Sequence, residues 1–336
     1  MVAVVSDISL IINSNGRLQT PIITDEITWK TERYGVPGEL TFTTVKDDKL
    51  SYSEGSPVAL MVDDKKVFYG FVFTKSRDKK QRIKVTAYDQ LRYFKNKDTL
   101  SYSGWTCGEL ITKLAEMYNL RVGELENTEY KVAGQDGADI IEDNVTLFDM
   151  VQNNLDETVQ ATNKMYVMYD DYGKITLKDI EKMRVPYLVD SSCIENFDYK
   201  TSIDSDVYNY IKVYQEDDEN SVRNTFVAKN SDDINKWGLL KYTDTISDPN
   251  KGPQKAAALL ELYDRVARNL TVKDAIGDLR VRAGCHVPVS LFLGDISSKG
   301  SSTYNSYLIV DSVTHKWKNN NHTMDMTLCG GAGFVA

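Results

Sequence analysis

The sequence predicts a mainly β protein with an α+β insert, and three observations support this. Apolar and polar residues alternate in runs at both ends of the chain, which is the period of a strand. Helix-start motifs are concentrated in the middle. The charge also changes along the chain: residues 1–96 carry 15 Lys and Arg against 12 Asp and Glu, residues 97–185 carry 9 against 17, and residues 186–336 carry 16 against 20. Because 336 residues suffice for two or three domains, we predict a β domain (1–96), an α+β middle domain (97–185) and a second β domain (186–336).

The first domain reads as strands joined by short turns. Residues 35–45 are a Gly/Pro turn that leads into an alternating strand. Residues 58–73 contain two apolar runs around a short polar loop, which is the pattern of a β-hairpin. Residues 82–89 alternate with their apolar side chains on one face. The charged segment SRDKKQ (76–81) between them is predicted to be a hairpin tip.

The middle domain combines two helices with a hairpin. Thr106 and Glu109 have the spacing of a capping box, so a helix should follow. Thr146 and Asp149 mark the start of a second helix in the same way. Residues 165–179, MYVMYDDYGKITLKD, are two alternating runs around a turn and predict a hairpin.

The last domain returns to strands. Residues 207–215 and 224–230 alternate. Gly252-Pro253 favours a helix start, because proline suits the first turn, and the inserted helix is predicted near 253–270. Three further strands are predicted after it.

The ends of the first and last domains resemble each other, which indicates an internal duplication. In each, a glycine opens a strand, a second strand follows, and a polar tip precedes a closing strand. The paired segments are Gly55-x-x-Val58 and Gly284-x-x-Val287, FYGFVFTK (68–75) and YLIVDSVTHK (307–316), the charged tip and KNNN (318–321), and IKVTAY (83–88) and MDMTLC (324–329). Three copies of a chain with two similar domains would make a ring of six similar units, whose closure covers exposed strand edges.

Composition and charge exclude several classes of protein. The net charge of −9 and the pI near 5.0 argue against broad nucleic-acid binding, which needs a basic face. No apolar run approaches the roughly 20 residues that a membrane helix needs, and the N-terminus lacks the pattern of a signal peptide. The four cysteines are widely spaced, without a CxxC pair, which suits a reducing compartment.

Candidate chemistry is sparse. The adjacent carboxylates Asp170-Asp171, 217–219 and Asp232-Asp233 are interpreted as turns and solvated loops, since a glycosidase needs two carboxyl groups across a cleft. His315 and His322 flank a predicted hairpin tip and could face each other, and Cys285 adjoins His286. Zinc nevertheless needs three or four ligands at recognisable spacing. We therefore predict no catalytic, cofactor-binding or metal-binding residues, and no cofactor.

The segment 106–125, TCGELITKLAEMYNLRVGEL, has two interpretations. A helix followed by a second short helix would be typical of a LysM-type glycan-binding module. The alternative is a single helix that packs on the neighbouring hairpin, which we favour because the second half of such a module is not evident.

Three segments resemble a known family. The run YDQLRYFKNKD (88–98), residues 27–79 and the hairpin YVMYDDYGKITL (166–177) resemble the baseplate hub proteins of PBSX-like defective prophages, related contractile tails and R-type bacteriocins. These hubs are similar in role to the T-even phage hub and to the hub part of type VI secretion spikes. The resemblance is specific over residues 25–180; over 186–336 it concerns the domain plan.

The resemblance implies two tube-like β-barrel domains per chain and a homotrimer. It implies a structural hub that joins the tail tube to the central spike, with baseplate wedge and tape-measure proteins as further partners. We expect a non-enzymatic component of a virion or tail-like particle, assembled in the bacterial cytoplasm, without recognition of a nucleic-acid sequence or insertion into a membrane. The alternative is a component of the same particle that binds or hydrolyses peptidoglycan. The basic tip SRDKKQR (76–82) is expected to contact the tube or a neighbouring subunit.

Overall fold

The computed structural model describes residues 7–46, 50–134, 137–204, 206–217, 222–246, 249–293, 303–319 and 321–330. The chain is mainly β, as predicted: these residues form twenty-one strands and four α-helices. Three short 3-10 helices lie at Gln90–Lys95, Ile180–Lys182 and Pro249–Lys251.

Seven strands form the first β module. They are β1 (Ile8–Ser14), β2 (Arg17–Gln19), β3 (Ile27–Glu32), β4 (Glu39–Val45), β5 (Pro57–Val62), β6 (Lys65–Arg77) and β7 (Arg82–Tyr88). The predicted hairpin of residues 58–73 is confirmed as β5 and β6. Its turn residues Asp63 and Asp64 both have positive φ, as a tight two-residue hairpin loop requires. In β7, Ile83, Val85 and Ala87 are buried, which confirms the predicted alternation.

The middle unit packs two helices against short strands. Its elements are β8 (Lys97–Tyr102), α1 (Cys107–Met117), β9 (Val122–Leu125), β10 (Ile140–Thr146), α2 (Leu147–Thr162), β11 (Tyr166–Asp170) and β12 (Ile175–Asp179). Both predicted capping boxes are confirmed, at Thr106 with Glu109 and at Thr146 with Asp149. The hairpin of 165–179 is confirmed as β11 and β12.

The rest of the chain forms a second β module and a unit inserted into it. The elements are β13 (Val189–Asp190), β14 (Asn196–Ser202), β15 (Tyr210–Asp217), β16 (Val222–Lys229), α3 (Ser231–Trp237), β17 (Lys241–Thr245), α4 (Gly252–Tyr263), β18 (Ala267–Ile276), β19 (His286–Phe292), β20 (Thr303–Lys318) and β21 (Asn321–Gly330). Strands β15–β17 form a separate sheet that packs on α4, so residues 207–264 are an insertion between β14 and β18.

One helix is shorter than predicted. Helix α4 begins at Gly252, but it ends at Tyr263 instead of continuing to about residue 270. Residues 267–276 are strand β18, which the sequence analysis missed. The reason is tertiary: β18 pairs with β14 on one edge and β21 on the other, and this pairing buries Leu270 and Val272.

The two β modules share one thirteen-stranded sheet, in which the main path is β14-β18-β21-β20-β3-β4-β7-β6-β5-β1-β2. Two separate β-barrels were predicted, but among the described residues the sheet does not close into a barrel. The two modules are joined by the sixteen-residue strand β20. Its first half pairs with β19, and its second half pairs on the same edge with β3 of the first module. The domain limits at residues 96 and 185 remain predictions.

The two modules have the same topology, which the sequence repeat predicted. Five strands have the order β3-β4-β7-β6-β5 in the first module and β14-β18-β21-β20-β19 in the second, and all neighbours are antiparallel. The opening glycines are also equivalent. Gly55 N donates to Val72 O over 2.7 Å, and Gly284 N donates to Val310 O over 2.8 Å. A β-bulge follows each of these valines.

Candidate functional site

A buried charged cluster lies where the first β module, the middle unit and the second β module meet. Asp89 follows β7, Asp170 ends β11, and Arg282 precedes β19. Asp89 Oδ2 accepts a hydrogen bond from Gly38 N (2.8 Å), and Asp170 Oδ1 accepts one from Gly173 N (2.6 Å). The Arg282 guanidinium lies 3.5 Å from the centre of the Tyr169 ring and donates to Asp170 O (3.1 Å).

Burial controls the protonation of this cluster. It raises the pKa of Asp170 to about 7. Burial, and next the charge of Asp170, raise the pKa of Asp89 well above its usual range. Burial lowers the pKa of Arg282. Two carboxyl groups with raised pKa would suit acid–base chemistry, but neither lines either of the two described cavities. The contacts of the cluster join three units of the chain.

The assignment of Asp170 to a solvated turn was therefore wrong. Asp170 is only 9% exposed, because its hairpin turn packs on the first β module. A Cβ at Gly173 would lie 2.7 Å from Tyr69 Cδ1, and Tyr69 and Tyr172 are in ring contact. The turn pattern predicted the local conformation, but it could not show that another module covers the turn.

The other acidic pairs have different settings. Asp232 and Asp233 lie in the first turn of the short helix α3, where Asn230 caps their backbone amides. Of the segment 217–219, residues 218 and 219 lie outside the described residues.

The two histidines of the last hairpin face each other, as the sequence suggested. His315 Nδ1 and His322 Nε2 are 2.9 Å apart, and His315 Nε2 is 2.9 Å from Val281 O. Trp29 of the first module stacks on His315, and Trp317 stacks on His322. Burial lowers the pKa of His315 to about 3 and that of His322 to about 4. The pair is therefore neutral at pH 7 and belongs to the junction between the two modules.

Among the described residues, His315 and His322 do not belong to a cluster of side chains that could bind a metal ion. His286 lies elsewhere, with Nδ1 3.1 Å from Ile180 O. Within the described part of the chain, no group of three or more His, Cys, Asp or Glu side chains is placed to hold a metal ion.

The four cysteine thiols are free and buried. Burial raises the pKa of Cys285 and of Cys329 to about 11, which disfavours the nucleophilic thiolate.

The segment 106–125 contains one helix. Helix α1 packs into the core of the middle unit, and residues 122–125 form strand β9, which pairs in parallel with β12. The second helix of the LysM-type interpretation is therefore absent from this segment. An open groove of about 730 Å³ runs along α1 beside Trp105, with Glu109, Glu126 and Lys131 among its lining residues. No helix within the described ranges is long and apolar enough to cross a bilayer.

Two strand edges of the thirteen-stranded sheet are surfaces to which a further strand could add. Strand β14 pairs only with β18, and residues 74–77 of β6 pair only with β7, so each presents one edge without a strand partner among the described residues. Exposed edges of this kind pair readily with another chain. The basic tip SRDKKQR (76–82), which we expected to contact the tube or a neighbouring subunit, continues from the second of these edges and is exposed.

Comparisons with known proteins identify relatives along almost the whole chain. A family model described as YQBQ-like matches residues 27–329. The chain is 26% identical over 312 residues to the phage-like element PBSX protein XkdQ of Bacillus subtilis, covering 90% of this chain and 91% of that protein.

Its fold is similar to that of a tail protein from Neisseria meningitidis, with a TM-score of 0.70, 13% identity and 96% of each chain covered. It is also similar to the E. coli c3393 protein, with a TM-score of 0.57, 12% identity and coverage of 95% of this chain and 76% of that one. That protein is described as a type VI secretion system component with structural similarity to the T4 tail proteins gp27 and gp5.

Proposed function

Because this chain belongs to the YQBQ-like family, we propose that it is the structural hub of a contractile tail baseplate. In this role three copies form a ring of six similar β modules that joins the tail tube to the central spike. The similarity to a protein of the PBSX phage-like element and to a tail protein fold supports a tail component. The similarity to a type VI secretion component with gp27-like structure supports the position between tube and spike.

The observation that carries the proposal is the duplicated five-stranded topology. Two modules with one strand order lie in a single chain and share a continuous sheet. Three such chains present six similar modules on one face, which matches a sixfold tube, while the assembly itself keeps the threefold symmetry of a trimeric spike. Wedge and tape-measure proteins are the further partners of a hub in this position.

The proposed role needs no chemistry from this chain. The buried polar clusters connect its units, and the acidic net charge of −9 disfavours nucleic-acid binding. We place the protein in a virion or tail-like particle that is assembled in the bacterial cytoplasm.

Co-expression with the tube and spike proteins of the same gene cluster tests the role. We expect a complex that contains three copies of this chain by native mass, and a labelled chain that lies on the tail axis between tube and spike in images of the particle. A complex with one copy, or a label away from the axis, would contradict the hub.

The groove along α1 favours one second candidate, a glycan-binding role in the same particle. Aromatic rings such as that of Trp105 are suited to stack on sugars, and the groove has a polar rim. Incubation with purified peptidoglycan should then retain the chain, and Trp105→Ala should abolish retention. Equal retention of both proteins, or none, would remove this candidate; release of soluble fragments would show hydrolysis.

A further inference from the structure

The junction between the two β modules is a template for a contact between chains. Strand β3 of the first module pairs antiparallel with the second half of β20, with Trp29 opposite His315 and Lys30 opposite Thr314. Arg33 N extends the ladder by donating to Asp311 O over 2.9 Å. This junction buries Trp29 to 6% exposure.

Strand β14 is the counterpart of β3 in the second module. Trp29 lies opposite Leu40 on the neighbouring strand, and Tyr199 lies opposite Leu270 in the same way. This alignment matches the sequence ITWKTE (27–32) to FDYKTS (197–202), so that Lys30 corresponds to Lys200.

Strand β6 is the counterpart of β20. The glycine contacts of Val72 and Val310 and the bulge after each valine fix the alignment. Counting from the bulges, Thr74 corresponds to Ser312 and Ser76 to Thr314. Arg77 therefore takes the place of His315.

In the internal junction, β3 pairs with the second half of β20. Their counterparts, β14 and residues 74–77 of β6, do not pair with each other within the chain. The outer edge of β14 and the 74–77 edge of β6 have no strand partner within the described ranges. Phe197 and Tyr199 are only half-buried, whereas their equivalents Ile27 and Trp29 are 3% and 6% exposed. Aromatic side chains at these positions remain to be covered.

The two edges also carry complementary charge. The end of β6 and its tip contain Arg77, Lys79 and Lys80, which attract acidic surfaces, whereas Lys75 is paired with Glu54 of the same chain. Around β14 lie Glu195, Asp198 and Asp204. A second copy of this chain would offer both a strand and the opposite charge to each edge.

We propose that β14 of one chain pairs antiparallel with the 74–77 segment of β6 in a second copy. The register follows the internal junction: Tyr199 lies opposite Arg77, Lys200 opposite Ser76 and Ser202 opposite Thr74. Each contact then has the same direction as the internal one, so modules follow head to tail around a ring. That the ring contains three copies rests on the proposed function, whereas the edge pairing rests on the internal junction.

A disulfide cross-link tests the register. In an antiparallel ladder, hydrogen-bonded and non-hydrogen-bonded residue pairs alternate. Arg33 and Asp311 are a hydrogen-bonded pair, so Lys30 and Thr314, three positions along the ladder, are a non-hydrogen-bonded pair. Lys200 with Ser76 is thus a non-hydrogen-bonded pair, for which Cα atoms lie about 4.5 Å apart, within the range of disulfides. Lys200→Cys/Ser76→Cys should form an intermolecular disulfide under mild oxidation. The four native cysteines are buried and add little background.

Two double variants are matched controls. Lys30→Cys/Thr314→Cys places the same pair in the internal junction and should form a disulfide within one chain. Thr201→Cys/Ser76→Cys shifts the register by one residue, which directs the two side chains to opposite faces of the sheet, and it should not cross-link.

The non-reducing gel and the native mass of the unmodified chain separate the outcomes. Cross-linked species that stop at the trimer, formed only by the in-register variant, support the pairing. Absence of the in-register disulfide, or equal cross-linking of the shifted variant, overturns it, even if the unmodified chain is a trimer. A ladder that continues past three chains keeps the pairing but contradicts the trimeric ring of the proposed function.

Discussion

At the residue scale, buried polar side chains mark the places where units of the chain meet. Asp89, Asp170 and Arg282 come from three different units and meet in one cluster. His315 and His322 lie between the tryptophans of two modules. Such groups are costly to bury unless they are paired, so each should be sensitive to loss of its partner.

Removal of Arg282 tests the charged cluster. Arg282→Met removes the hydrogen bond to Asp170 O and the cation that lies over the Tyr169 ring, and we expect the free energy of unfolding at pH 7 to fall by about 1–3 kcal/mol. Urea denaturation measures the change. Arg280→Met is the matched control, because Arg280 is an exposed residue that pairs with Asp278, and the loss of such a surface pair should change stability much less. Equal effects of the two substitutions would contradict the connecting role of the cluster.

The histidine pair should make stability depend on pH. In the unfolded chain both histidines titrate near pH 6.5, whereas burial lowers the folded pKa values to about 3 and about 4. The unfolded state therefore binds more protons below pH 6.5. We expect the contribution of the histidine pair to be retained above that pH and to be lost progressively as the pH falls toward 4, by on the order of 1 kcal/mol per pH unit for each histidine. The raised pKa values of Asp89 and Asp170 act in the opposite direction, so the variant below isolates the histidines.

Denaturation of the His315→Gln/His322→Gln variant checks this origin. Its free energy of unfolding should fall less steeply between pH 6.5 and pH 5 than that of the unmodified chain. Part of the slope should remain, because burial also lowers the pKa of His286. If the free energies of unfolding of the two proteins changed with pH in parallel, the histidine pair would not be a source of the pH dependence.

At the scale of elements, the duplicated modules allow equivalent positions to be compared within one chain. Gly55 and Gly284 open equivalent strands with φ of +83° and +89°, a conformation that side chains with a Cβ rarely adopt. Their surroundings differ: a Cβ at Gly55 would meet nothing within 4 Å, whereas one at Gly284 would lie 2.7 Å from Val167 of the middle unit.

Substitution by alanine should separate the cost of backbone strain at positive φ from the cost of a steric clash with the middle unit. Gly55→Ala should cost about 1–2 kcal/mol from backbone strain alone. Gly284→Ala should cost a further 1–3 kcal/mol or so, because the methyl group also displaces Val167. Thermal or urea denaturation of both variants measures the difference. Equal losses would mean that the middle unit moves away at no cost.

At the scale of the whole molecule, one continuous sheet holds the modules in a fixed relation. The internal junction β3–β20 uses one edge of each module, and among the described residues one further edge of each module has no strand partner. Pairing between these two edges of different copies is head to tail, and such pairing ends either in a closed ring or in an open filament.

Charge reversal of the basic tip tests the ring at this scale. In the proposed contact, Lys79 and Lys80 lie near Glu195 and Asp198 of the next chain. Lys79→Glu/Lys80→Glu should weaken assembly, and added salt should lessen the defect, because exposed charges are screened. Light scattering at low and high salt measures this. The control Lys113→Glu changes an exposed charge on α1 and should leave assembly intact; a tip variant that assembles normally would exclude the tip from the contact.

The sequence by itself determined the local elements and the repeat. Alternation, capping boxes and turn residues located β5–β7, α1, α2 and the β11–β12 hairpin, since these patterns depend on neighbours within a few residues. Only the tertiary structure decided how those elements combine. Strand pairing ended α4 at Tyr263 and made residues 267–276 a strand. Packing of the hairpin turn on Tyr69 buried Asp170, and the length of β20 fused two modules into one sheet, because each of these outcomes depends on contacts between residues far apart in the chain.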